Sequence, residues 1–175
     1  TGWAEVSFQG LLARYTQLVE DLAPIEKHVR EEAARDPVAQ ALDRIPGIGA
    51  VLGLMIRAEV GTMTRFVRPA QLASYAGVVP RVSRSGSVCH HGPITREGSP
   101  WLRWALIEAA THGIRRPDAI GAWARRLAVR KGGLKARAAV ARRLCDEIFV
   151  AWMRIEGLSG AAVEIPLATS DVVVP

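Results

Sequence analysis

Between Val79 and Gly98 the chain reads VPRVSRSGSVCHHGPITREG. Four hydroxyls (Ser83, Ser85, Ser87, Thr95), one thiol (Cys89), two imidazoles (His90, His91) and three guanidiniums (Arg81, Arg84, Arg96) share it with a single carboxylate, Glu97. A serine hydroxyl is a poor nucleophile near neutral pH and needs a base or a metal beside it. Guanidiniums offer paired donors to phosphate oxygens. Two readings are open: a solvated loop that happens to be basic, or a loop through which a phosphate passes. Cys89-His90-His91 does not read as a zinc site, because adjacent residues rarely ligate one ion together and Cys145 lies far along the chain. No metal site is expected here. His90 has the right intrinsic pKa to shuttle a proton.

The elements that must position this stretch fall on either side of it. Upstream, IPGIGAVLGLMIRAEVG from Ile45 places Gly47-Ile48-Gly49 before an apolar, helix-like run. That is the shape of a helix-hairpin-helix, in which glycines allow a tight turn and the next helix offers its first amides to a DNA phosphate. Such a contact reads backbone rather than base sequence. The alternative is a plain turn between two core helices. A helix is expected at about Pro69–Ala76, closed by Gly77. Val78, Val79, Val82 and Val88 around Ser85-Gly86 suggest a short irregular hairpin.

Downstream, Ser99-Pro100 is a strong helix start, and that helix should run to Gly113. Another begins at Pro117 or Asp118 with Ile120, Trp123 and Leu127 inward, and breaks at Gly132-Gly133. The last carries Ala141, Leu144, Cys145, Ile148, Phe149 and Trp152 on one stripe, the period of a core face. Lys135, Arg137, Arg142 and Arg143 fall outside that stripe, and Arg142 and Arg143 are candidate phosphate contacts.

At the other end, Leu11, Tyr15, Leu18, Leu22, Ile25 and Val29 recur with a mean period near 3.5, a heptad seam suited to a coiled coil or helical hairpin. Pro24 should kink or split that helix. The organisation expected is mainly α: a coiled-coil helical linker over residues 1–40, a helical domain over 41–156 with the helix-hairpin-helix-like motif and the irregular hairpin, and a tail over 157–175.

Bulk properties narrow the class. The 175 residues are 49% apolar and 23% charged, enough for one domain with a core. Two cysteines make no disulfide framework and fit a reducing cytoplasm. No apolar run is long enough to span a bilayer and no signal peptide is evident. Position 1 is Thr, as expected of a piece cut from something longer. The net charge of +6 is unevenly spread. Residues 44–154 hold nineteen Lys/Arg against six Asp/Glu, a surplus of thirteen, while the ends are net acidic. That is the electrostatic footprint of a polyanion binder.

The order of pieces IPGIGAVLGLMIRAEVG, RFVRPAQLASYAGVVPRVSRSG, ITREGSPWLRWALIEAA and KARAAVARRLCDEIFVAW resembles the C-terminal domain of transposases of the bacterial insertion sequence 110/116/902 family, which includes the Piv-type DNA invertases. The likeness covers about Ala41 to Met153, and the heptad section resembles that family's coiled-coil linker. The resemblance implies a DNA recombinase whose N-terminal half is RuvC-like and holds divalent metal, Mg2+, on four acidic residues. It implies that the SG motif, here Ser85-Gly86, supplies a catalytic serine. Ser83 and Ser87 lack the following glycine. Arg81, Arg84 and Arg96 would neutralise charge building on the non-bridging oxygens. It further implies a guide non-coding RNA, a homodimer or higher oligomer, and a cytoplasmic, nucleoid-associated location in a bacterium. The four-acid RuvC-like section is not found in this sequence, and its acidic residues on the heptad section form no metal site, so the chain is not expected to recombine DNA alone. Glu97 stands where the family pattern is more often basic or small. The alternative reading is a non-catalytic helix-hairpin-helix module for DNA or RNA binding and dimerisation.

Overall fold

The computed structural model describes residues 2–85 and 88–157, with the side chains of 84–91 outside that description. The tip residues Gly86 and Ser87 and the tail from 158 therefore lie outside the described residues. The fold is mainly helical with one two-stranded antiparallel hairpin, as the sequence patterns predict.

A long helix α1 (Trp3–Arg35) leads into α2 (Pro37–Asp43). Asp36 makes the corner: its carboxylate accepts the amides of Val38 and Ala39 at 2.8 Å each, and Pro37 occupies the first helical position, where a missing N–H costs nothing. Helix α3 (Ala50–Val60) comes next, then a 3-10 turn (Met63–Arg65) and α4 (Pro69–Tyr75). The hairpin strands are β1 (Pro80–Ser85) and β2 (Val88–Ile94). Then come α5 (Pro100–Gly113), α6 (Ala119–Lys131) and α7 (Gly133–Ile155).

The core forms around α7, which packs against α2, α4, α5 and α6. The stripe from Ala141 to Trp152 is fully buried, as its spacing predicts. Each of Leu144, Ile148 and Phe149 contributes about 1.5–3 kcal/mol by leaving water. Leu42, Ile56, Met63, Leu72, Leu102 and Leu106 close the same cluster from the other elements.

Two expectations are corrected. Helix α1 is not split at Pro24: a single helix spans Trp3–Arg35. A proline removes one backbone donor, and the turns on both sides of an exposed site carry the helix on. On α6 the buried residues are Gly121 and Ala124, while Trp123 is exposed and Ile120 and Leu127 are only half-buried. The small residues face inward because the chain returns on itself there: a Cβ on Gly121 would fall 2.0 Å from the Arg116 carbonyl oxygen.

Candidate functional site

The hairpin is built outward from a locked root. Gly77 and Gly98, both at positive φ (68° and 90°), allow the backbones at the end of α4 and the start of α5 to touch. A Cβ at Gly77 would lie 2.2 Å from the Glu97 carbonyl oxygen, and one at Gly98 would lie 1.9 Å from that of Tyr75. The Arg96 amide donates to the Gly77 carbonyl (3.2 Å) and the Thr95 amide to that of Val79 (2.9 Å). Ser99 completes the root: its Oγ accepts the Leu102 amide (3.1 Å), capping α5, and donates to Glu59 on α3 (2.5 Å). Beneath, Tyr75 packs on Phe66, with the Arg65 guanidinium 4.7 Å from the Tyr75 ring centre.

From this root the strands pair Pro80 with Ile94, then Val82 with His91, Ser83 with His90, Arg84 with Cys89 and Ser85 with Val88. The register shifts between Pro80 and Val82, so β2 carries an extra residue at Gly92-Pro93. A bulge is the place in a strand that tolerates a proline, which has no N–H for the ladder. Bulges add twist and re-aim the strand beyond them. Ser85 ends β1, with its backbone opposite Val88 and two residues between them at the tip. The Ser85 and Arg84 side chains and Gly86 lie outside the described parts. Arg81, Val82, Ser83 and Arg96 are exposed. Arg96 adopts a positive φ of 58°, a conformation few non-glycine residues take, at the point where the hairpin rejoins the body.

The IPGIG turn has two sides. Gly47, at φ 100°, presses on α5, where a Cβ would meet the Ala109 carbonyl oxygen at 2.6 Å. Ile48 is buried in the core, leaving only its backbone for any ligand. Gly49 caps α3 and has open space beside it. A shallow recess here is lined by Gly47, Gly49 and Ala50 together with Arg30 of α1 and His112 of α5. Nothing local in the sequence marks Arg30 or His112 as neighbours of this turn; only the packing of three helices brings them there.

The cations divide into two groups. Some serve the fold: Arg57 reaches Asp36 (3.1 Å) and stacks over Trp152, and Arg142 pairs with Asp146 (2.8 Å). Arg125 donates to the carbonyls of Ile114 and Arg116 (3.0 Å each). Arg116 is buried between Asp118 (2.7 Å) and Glu147 (3.1 Å). Burial works against its charge, yet hydrogen bonds and charge from these two carboxylates outweigh that and hold the guanidinium above its ordinary value. Burial likewise opposes the Asp118 charge, but the Gly121 amide and Arg116 prevail and hold that carboxyl below the usual range. The second group, Arg81, Arg96 and Arg143 among the sequence candidates, makes no ion pair with another described residue.

The acidic residues of α1 do not converge. Glu26, Glu31 and Glu32 pair along the helix with Arg30, Lys27 and Arg35. Among the described residues no three His, Cys, Asp or Glu side chains gather to hold a metal ion. Cys145 is deep in the core, where burial pushes its thiol up to about 12, so it acts as a small apolar residue. No described helix is long and apolar enough to cross a membrane.

Residues 39–124 match the family described as Transposase IS116/IS110/IS902. The chain is 30% identical over 149 residues to the transposase for insertion sequence element IS1111A of Coxiella burnetii, covering 81% of this chain and 41% of that protein. It is 28% identical over 96 residues to the transposase for insertion sequence element IS1328 of Yersinia enterocolitica, covering 55% and 29%. It is 28% identical over 110 residues to the insertion element IS110 43.6 kDa protein of Streptomyces coelicolor, covering 63% and 27%. The chain thus spans under half the length of these curated relatives.

Proposed function

We propose that the chain is part of a transposase of the IS110/IS116/IS902 family, and that its hairpin carries the serine nucleophile, Ser85, for cutting and rejoining DNA. The observation that carries this reading is the hairpin itself: a hydroxyl- and guanidinium-rich arm on a locked root, its exposed arginines free of any described acid partner. Ser85 Oγ attacks a DNA phosphorus. The Oγ–P bond forms, one P–O bond to a sugar breaks, and the serine proton ends on the departing sugar oxygen. The product is a phosphoserine diester, which conserves the bond for rejoining by the reverse step. Arg81, Arg84 and Arg96 balance the charge that grows on the non-bridging oxygens.

Among the described residues the carboxylates do not gather into a divalent-metal site, and no step is routed through one. The Mg2+ implied by the family resemblance belongs to a RuvC-like domain, so the complete site is composite. The amides of the Gly47–Gly49 turn, with Gly49 open beside Arg30 and His112, would hold a DNA phosphate at a second point. A guide RNA is a further expected partner. A second copy of the chain is the expected occupant of α1, whose seam residues Leu11, Tyr15, Leu18, Leu22 and Ile25 are 50–67% exposed on a helix docked to the body only near its C-terminal end.

The test is recombination by a full-length protein carrying this chain, on a plasmid with both element ends. Ser85→Ala should abolish recombination and leave nucleic-acid affinity unchanged, while Ser83→Ala and Ser87→Ala remain active. Activity surviving in Ser85→Ala would leave only the binding and assembly role.

A further inference from the structure

Away from the hairpin, the segment between Asp118 and Asp146 holds eight Lys/Arg and no Asp or Glu. It folds into α6 and α7, joined at Gly132 (φ 89°), and the two helices pack on each other. The fold uses some of these cations: Arg125 is held by carbonyl oxygens and Arg142 by Asp146. Arg126, Arg130 and Lys135 are different. They are exposed, lie within two turns of the elbow, and make no ion pair with a described residue.

Helix stability does not account for them. Arg130, in the last turn of α6, gains from the helix dipole, but Lys135 lies in the first turn of α7, where the dipole opposes a cation. That turn has no acid, and Gly132 provides no side-chain cap. Val129 and Leu134 on the same elbow are exposed, yet two separated apolar residues make too little contiguous surface for a stable protein interface. Unbalanced charge without an apolar patch fits a polyanion.

We infer that the α6–α7 elbow is a second binding surface, for the phosphate backbone of duplex DNA, separate from the serine hairpin. This rests on the nucleic-acid reading above and adds the place where the duplex is gripped. Two turns of helix on each side span roughly 10 Å. One DNA strand carries a charge per about 3.4 Å of axis, so the patch faces about three phosphates. Its contacts carry no sequence information and serve to hold the duplex in register.

The experiment measures affinity of the 175-residue chain for a 20-base-pair DNA duplex between 50 and 200 mM KCl, with an RNA duplex of the same sequence alongside. Replacing Arg126, Arg130 and Lys135 together by Gln should reduce the log–log salt slope by roughly 2.7, at about 0.9 per lost phosphate contact, and weaken binding more than tenfold. Arg130→Gln alone should take away about 0.9 and guards against a fold defect in the triple variant, which a thermal melt also checks. An unchanged DNA slope in the triple variant, with binding still lowered by Arg81→Gln/Arg96→Gln, overturns the elbow and leaves the hairpin reading standing. An effect confined to the RNA duplex also overturns it. A wild-type chain that binds no DNA at 50 mM KCl would remove both readings.

Discussion

The helical body and the hairpin handle polar groups in opposite ways. In the body almost every charge near the core is answered: Arg116 by two carboxylates, Arg57 by Asp36 and Trp152, and Ser99 by Glu59 and the Leu102 amide. In the hairpin the close backbone packing is at the root. Gly77 and Gly98 fix where the arm leaves, and beyond them Arg81, Val82 and Ser83 face solvent with their chemistry uncommitted. The difference shows how one chain can be both rigid and available. The charges near the core of the body are paired, whereas the exposed Arg81 and Arg96 of the arm make no ion pair with a described residue.

Substitutions that are equally severe on paper should separate the two regions. Trp152→Ala empties a fully buried site and leaves Arg57 and Glu156 without their indole partner, so unfolding free energy should drop by about 3–5 kcal/mol in denaturant melts. Val82→Ala on the exposed strand should stay within about 0.5 kcal/mol. Equal losses at both places would erase the distinction.

A smaller effect is expected at the edge of the body. Arg116→Met leaves Glu147 without its ion-pair partner and Asp118 with the Gly121 amide in a half-dry site, and should cost about 3 kcal/mol, the low end for a broken buried pair because both acids retain some solvent. The pH dependence gives its sign. The Asp118 carboxyl is held below its unfolded value, so its contribution is full above the ordinary carboxylate range and fades as the pH falls through the lowered folded value. Asp118→Asn should therefore flatten the acid limb of the stability curve, and an unaltered limb would count against the network.

Much of the body was legible in the sequence because its signals are local. The Ala141–Trp152 stripe follows the helical period, and Ser99-Pro100 combines a cap with a proline start. Where the packing is non-local, the reading fails. Trp123 and Leu127 looked like the inner face of α6, yet the close approach of the Arg116 carbonyl selects Gly121 and Ala124. A further steric reason for glycine at position 47, the α5 backbone at Ala109 far along the chain, was also not legible locally, and the phosphate-turn reading is untouched by it. Arg116 and Glu147 stand 31 residues apart in the sequence, and only the fold brings them together. The Ser85-Gly86 pair was marked by its motif alone, and the Ser85 side chain and Gly86 lie outside the described residues.

Covalent capture of DNA by the hairpin serine, as proposed, would leave a bond that can be caught. The direct measurement is to trap the protein–DNA adduct formed by the full-length protein on a nicked element end, digest both partners, and locate the nucleotide-bearing peptide by mass spectrometry. A phosphodiester on Ser85 is the result expected. An adduct on any other residue, or efficient strand cleavage with no adduct at all, would contradict it.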